Sequence, residues 1–126
     1  MRHAITGKRL MHEIKAFIRP ETVDGVVHSL YHEGFGHLTT THVRSLGRAG
    51  VGVDPKHRQL SVESGAWYTE MVKLEIVCAE QELERALAVI RQAARTGEPG
   101  DGIVFVTPVA RAVKVRTGEE GREILH

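Results

Sequence analysis

The sequence predicts an α+β domain in which two amphipathic helices lie against one face of an antiparallel β-sheet. Three observations lead there. Segments that alternate apolar and polar residues with period two are interleaved with segments of helical period. Their order is strand, helix, strand, then strand, helix, strand again. The chain has 126 residues, enough for one hydrophobic core and few for two.

Residues 12–19 form the first strand, with Ile14, Ala16 and Ile18 on one face and Lys15, Phe17 and Arg19 on the other. Pro20 ends the strand and opens a helix, where its missing N–H costs little. Val23, Val26, Val27, Leu30 and Tyr31 follow at i, i+3, i+4, i+7 and i+8, a single stripe facing a core. Gly34 stands where a C-terminal glycine cap is expected. Residues 38–47, rich in threonine and valine, make the second strand. Residues 48–70 have no period and contain Gly50, Gly52, Pro55 and Gly65, so they read as a long loop. Such connections are uncommon in compact domains and are usually functional or disordered.

In residues 71–79, Val72, Leu74, Ile76 and Cys78 alternate with Lys73, Glu75 and Val77 as the next strand. A second helix over 80–95 carries Leu83, Ala86, Leu87, Ile90 and Ala94 on one stripe, with Gly97 as its cap. The loop 97–102 leads into a strand over 103–106, and 112–116 reads as one further short strand. The whole is a ferredoxin-like βαββαβ sandwich. Its other sheet face carries Phe17, Val43 and Val77, which neighbouring subunits would cover, so a homo-oligomer is expected.

Composition narrows the function classes. Hydrophobic residues are 41% and charged residues 26%, which is ordinary for a soluble globular domain. A formal net charge of +1 gives no field to attract nucleic acid or an acidic membrane. No apolar run is long enough to span a bilayer. Cys78 is the one cysteine, which suits a reducing cytoplasm and excludes an internal disulfide. Residues 1–11 read as a flexible extension and 122–126 as a C-terminal tail around a domain of residues 12–121.

Several groups of residues could carry chemistry. The loop around Gly100, Asp101 and Gly102 could bring backbone N–H groups close to a phosphate, or could simply be a tight turn that Asp101 stabilises. Lys114 and Arg116 would share one face of a strand, as a phosphate pair or a solvated surface. Asp24, His28 and His32 are spaced i, i+4, i+8, as a solvated helix face or a divalent-metal site. Trp67 and Tyr68 either pack back against the domain or serve as partner-binding anchors at a loop tip. Cys78 lies on the apolar side of its strand as a small core residue. No order of Ser, His, Asp or Cys supports covalent catalysis, so no enzyme is expected.

The run Thr96-Gly97-Glu98-Pro99-Gly100-Asp101-Gly102-Ile103-Val104-Phe105-Val106 resembles the C-terminal signature of the PII signal-transduction family, and Val115-Arg116-Thr117-Gly118-Glu119 continues it. The opening His12-Glu13-Ile14-Lys15-Ala16-Phe17-Ile18-Arg19-Pro20 is similar to that family's first strand. Gly47-Arg48 resembles the base of its T-loop, and residues 72–77 its third strand. The resemblance spans residues 11–121 and leaves the long loop unmatched.

It implies a homotrimer that binds adenine nucleotides between subunits and engages a target enzyme, transporter or channel through the T-loop, here residues 48–70. Carried over by position, Thr39, Glu75 and Val77 line the adenine, while Gly47, Arg48 and the backbone of Gly100, Asp101 and Gly102 lie by the phosphates. Lys114 and Arg116 come from the adjacent subunit, with Lys114 in place of a usual arginine. Ile103 replaces the family's phosphate-loop lysine, so ADP or AMP is expected to bind at least as well as ATP.

Ala49 and Met71 stand where the resemblance places a glutamine and a lysine used for 2-oxoglutarate, which leaves that dicarboxylate without partners. A small anion such as bicarbonate fits better beside Arg48, in a branch tied to inorganic carbon. The alternatives are a metal-responsive module linked to heavy-metal efflux and an ordinary nitrogen-regulatory PII. Tyr68 is the nearest candidate for the tyrosine that some members modify.

Overall fold

The structure, a computed structural model, describes residues 10–47, 58–60 and 67–125. Its elements run β1 (Met11–Ile18), α1 (Val23–His32), β2 (Thr39–Gly47), β3 (Gln59–Leu60), β4 (Trp67–Ala79), α2 (Leu83–Ala94) and β5 (Gly102–Val109). Short 3-10 turns at Pro20–Thr22 and Glu80–Glu82 lead into the two helices. The sheet order is β2-β4-β1-β5, all neighbours antiparallel, and β3 pairs with the start of β4. This is the expected ferredoxin-like arrangement.

Alternation decides which face is buried. Ile14, Ala16 and Ile18 of β1 and Leu74, Ile76 and Cys78 of β4 meet Val26 and Leu30 of α1 and Ala86, Ile90 and Ala94 of α2 in one core. Burying such side chains contributes roughly 1.5–3 kcal/mol each for the larger ones. Tyr31, expected on the α1 stripe, is 56% exposed. At i+8 from Val23 the 3.6-residue period has turned it off the core face. Gly34 takes φ 91°, and Phe35 N–H donates to Leu30 O while Gly34 N–H donates to Tyr31 O, the paired bonds of a Schellman cap.

The connection after β2 begins where expected, after Gly47, but ends earlier. Strand β4 begins at Trp67, and Gln59–Leu60 pairs back onto Tyr68 and Trp67. Residues 67–70 belong to the sheet, because residues 44–47 of β2 pair along all four and β3 adds a second partner for Trp67 and Tyr68. Gly97 is no helix cap: α2 ends with Arg95 in extended conformation, and Gly97 sits in the loop beyond. Residues 112–116 form no strand. They belong to a small hairpin with one bridge, Val113 to Glu120, and a turn at 115–117.

Residues Arg122–Leu125 form a 3-10 turn against β4 rather than a loose tail. Leu10 O accepts from Glu80 N–H at 3.0 Å, which ties the entry to β1 onto the start of the second 3-10 turn. Met11 is buried and already within β1, so the strand starts one residue earlier than expected.

Candidate functional site

One end of the outer sheet face holds a cavity of about 640 Å³. That volume is in the range of small-molecule sites. Thr39 from β2, Glu75 and Val77 from β4, Glu13 from β1 and Lys114 from the hairpin all line it. Thr39 and Glu75 are direct cross-strand partners, so the sheet register itself brings them together. Val77, Leu38, Ile76, Ile124 and Leu125 supply apolar wall. Glu75 lies 3.8 Å from Lys73 Nζ and Glu13 faces the same space, so two carboxylates can accept hydrogen bonds there. Lys114 adds a cation to the lining. A flat apolar group bearing an amino donor, with a negative charge near Lys114, matches this set.

The glycine loop lies at the opposite end of the sheet. Val77 shares a cross-strand row with Glu13 and Thr107, whereas Gly102 shares one with Ile18 and Val72. These rows are about 17 Å apart along the strands at the usual rise per residue. Gly47 ends β2 opposite Trp67, on the glycine-loop side. Thr39, Glu75, Val77 and Lys114 thus meet in one protomer, while Asp101, Gly102 and Ile103 line a second cavity beyond the other end of these rows, and Gly47 lies farther along β4 on the opposite edge strand. Within one chain, Lys114 lines the same cavity as the Thr39 group. The hairpin folds back over its own sheet.

The loop is held by one carboxylate. Asp101 Oδ2 accepts from Thr96 N–H at 2.8 Å and Gly97 N–H at 2.9 Å. Asp101 Oδ1 accepts from Arg19 Nε at 3.0 Å and from the Thr96 hydroxyl. These donors, Thr96 first, hold the carboxyl well below the usual carboxylate range. Asp101 therefore fixes the turn, and any ligand contact falls to the backbone around it. Arg19 Nη2 also donates to Pro99 O at 2.7 Å, and Arg19 is buried.

Sequence reasoning treated Arg19 only as an outward-facing strand residue. Its one signal was a cation set directly before the proline that closes β1. Gly102 has φ 114°, and a Cβ there would stand 1.8 Å from Phe17 O. Only glycine fits where β5 enters beside β1. Ile103 follows it and is 56% exposed.

The remaining candidates separate. Arg48 lies outside the described residues, as do 49–57 and 61–66 of the long loop. Arg116 sits in the exposed hairpin turn, not beside Lys114, because Gly118 N–H donates to Lys114 O and reverses the chain. His28 and His32 stack edge to face with centroids 5.1 Å apart on the exposed side of α1, with Asp24 also exposed. Among the described residues no three His, Cys, Asp or Glu side chains are placed to hold a metal.

Tyr68 is buried, its hydroxyl donating to Gln59 Oε1 at 3.0 Å and its ring 4.4 Å from the Arg44 guanidinium carbon. Tyr68 thus packs within β4 rather than at a loop tip. Trp67 is half-buried with Arg58 over its ring at 4.8 Å. Burial raises the Cys78 thiol to about 11, with Glu82 and Glu80 adding to it, so it stays protonated. No helix among the described residues is long and apolar enough to cross a membrane.

Comparison with known proteins places this architecture. Residues 11–119 match the family described as nitrogen regulatory protein P-II. The chain is 37% identical over 117 residues to a nitrogen regulatory protein P-II of Azospirillum brasilense, covering 91% of this chain and 100% of that one. It is 36% identical over 115 residues to the P-II protein of Microchaete diplosiphon, covering 90% and 98%. Among solved structures, a Bacillus subtilis GlnK–ATP complex superposes with TM-score 0.73 at 26% identity, covering 94% of this chain and 97% of that one. An Arabidopsis thaliana PII bound to citrate superposes with TM-score 0.71 at 30% identity, covering 91% and 92%.

Proposed function

This chain belongs to the nitrogen regulatory protein P-II family, and from that premise we propose that it is a non-catalytic regulator, cytoplasmic and trimeric, which binds adenine nucleotides between protomers. One protomer supplies the base half of the site through Thr39, Glu75, Val77 and Lys114. The next supplies the phosphate half through Gly47, Arg48 and the Gly100–Gly102 backbone, toward which Arg116 reaches from the hairpin that carries Lys114 on the first. The supporting observation is the convergence of the first four residues on one cavity, far along the sheet from the glycine loop. A nucleotide that used both ends would have to bridge two copies. Ile103 at 56% and Phe105 at 49% exposure on the uncovered sheet supply apolar surface for that assembly. One related structure, the B. subtilis GlnK complex, holds ATP.

We further propose that ADP and AMP are favoured over ATP, because Ile103 removes a cation from the end nearest the terminal phosphate. Met71 is buried and apolar where a dicarboxylate would need a positive partner. A small anion such as bicarbonate is therefore the better co-effector beside Arg48. Nucleotide occupancy would shift the long connection 48–66 between free and partner-ready populations, and a target transporter or enzyme would read that shift.

Calorimetry tests this directly, with ADP, AMP and ATP, each with and without bicarbonate and 2-oxoglutarate. The expected result is micromolar ADP and AMP binding, strengthened by bicarbonate and indifferent to 2-oxoglutarate. Absence of heat with every nucleotide at millimolar concentration would defeat the nucleotide reading.

A further inference from the structure

The cavity that gathers Thr39, Val77 and Lys114 has one wall from an element outside the βαββαβ unit: Ile124 and Leu125, from the C-terminal 3-10 turn Arg122–Leu125. We propose that this turn is part of the nucleotide site, with Ile124 and Leu125 forming the apolar wall that the base packs against beside Val77. The inference rests on the nucleotide reading above and names a specificity element within it.

The placement of the turn is built rather than incidental. Leu125 is half-buried and also lines a smaller adjoining cavity of about 220 Å³ with Phe35 and Val77. The turn is tethered to the hairpin that carries Lys114. Arg111 grips Glu120 with two bonds, of 2.9 and 3.0 Å. Gly121 N–H donates to Ala112 O and Ile124 N–H to Gly121 O, both at 3.3 Å. Lys114 N–H donates to Glu119 O at 2.8 Å. The cation and the apolar wall therefore belong to one folded-back unit, so a ligand held by both selects a single position of that unit. An aromatic base would gain apolar contact on this wall while its amino group meets the cavity's carboxylates. The phosphate tail makes no use of the turn.

The test is calorimetry on the full chain and on Ile124→Ala and Leu125→Ala, with ADP and with inorganic pyrophosphate, after checking that the melting temperature is retained. We expect ADP to weaken about tenfold, the scale of one lost Leu-sized apolar contact, while pyrophosphate binding is unchanged. ADP affinity within twofold of the unmodified chain in both variants overturns the inference and leaves the nucleotide reading standing. Parallel loss of ADP and pyrophosphate also overturns it, since the turn would then be only a scaffold. If the unmodified chain binds no ADP, the nucleotide reading itself fails and takes this wall with it.

Discussion

Arg19 and Asp101 meet across 82 residues of chain, with Arg19 Nε 3.0 Å from Asp101 Oδ1. The arginine directly follows the first strand, and the aspartate closes the loop that feeds the last one. Because β1 and β5 are neighbours in the sheet, this ion pair staples the glycine loop to the end of β1. Only 5% of Arg19 is exposed, so its charge is compensated by this carboxylate and by Pro99 O.

Replacing Arg19 by Ala should therefore strip the loop of its anchor and lower stability by about 1.5–3 kcal/mol, the range for hydrogen bonds to charged groups. Urea denaturation measures it. Arg19→Lys should recover only part of the loss, because an ammonium cannot reach Asp101 and Pro99 in the fixed geometry of the guanidinium fork. A lysine variant as stable as the parent would show that charge alone matters.

Asp101 sets an acid limit. Its folded-state affinity for protons is depressed, so its contribution to stability is fully present above the ordinary aspartate value of about 4 and is lost as pH falls below it. Melting temperature should fall on acidification from pH 5 to pH 3, and Asp101→Asn should flatten that dependence while being less stable at pH 7. An unchanged acid slope in the asparagine variant would contradict this role.

Gly102→Ala should be severe. The added Cβ meets Phe17 O at 1.8 Å, and a left-handed φ of 114° strains any side chain. The chain at β1–β5 would have to separate there, at a cost of about 2–4 kcal/mol. Circular dichroism melts will report it, and a loss under 1 kcal/mol would mean the loop can relax.

Ile103→Lys bears on nucleotide choice. A cation beside the glycine loop should favour a ligand with one more phosphate, moving the ATP-to-ADP affinity ratio toward ATP by about tenfold. Ile103 is exposed, so stability should barely change. Parallel ADP and ATP titrations decide it, and an unmoved ratio would place the terminal phosphate away from this residue.

Local pattern was enough for the main elements. Alternation over Ile14, Ala16 and Ile18 and over Leu74, Ile76 and Cys78 named the buried sheet face, and helical spacing named Val26, Leu30, Ala86 and Ile90. The glycine loop and its aspartate were also visible in the chain, because turn chemistry is written in adjacent residues. Pairing partners far apart in sequence were not. Nothing near Arg19 points to Asp101, nothing near Trp67 announces Gln59–Leu60 as its partner, and Arg116 lies in a turn that opens just after Lys114, which alternation cannot see. Ile124 and Leu125 looked like a tail until the hairpin turned them onto β4. Short-range periodicity reports which side of an element is apolar. Which elements then share a cavity depends on sheet register and on chain reversals, and those exist only once the strands have paired.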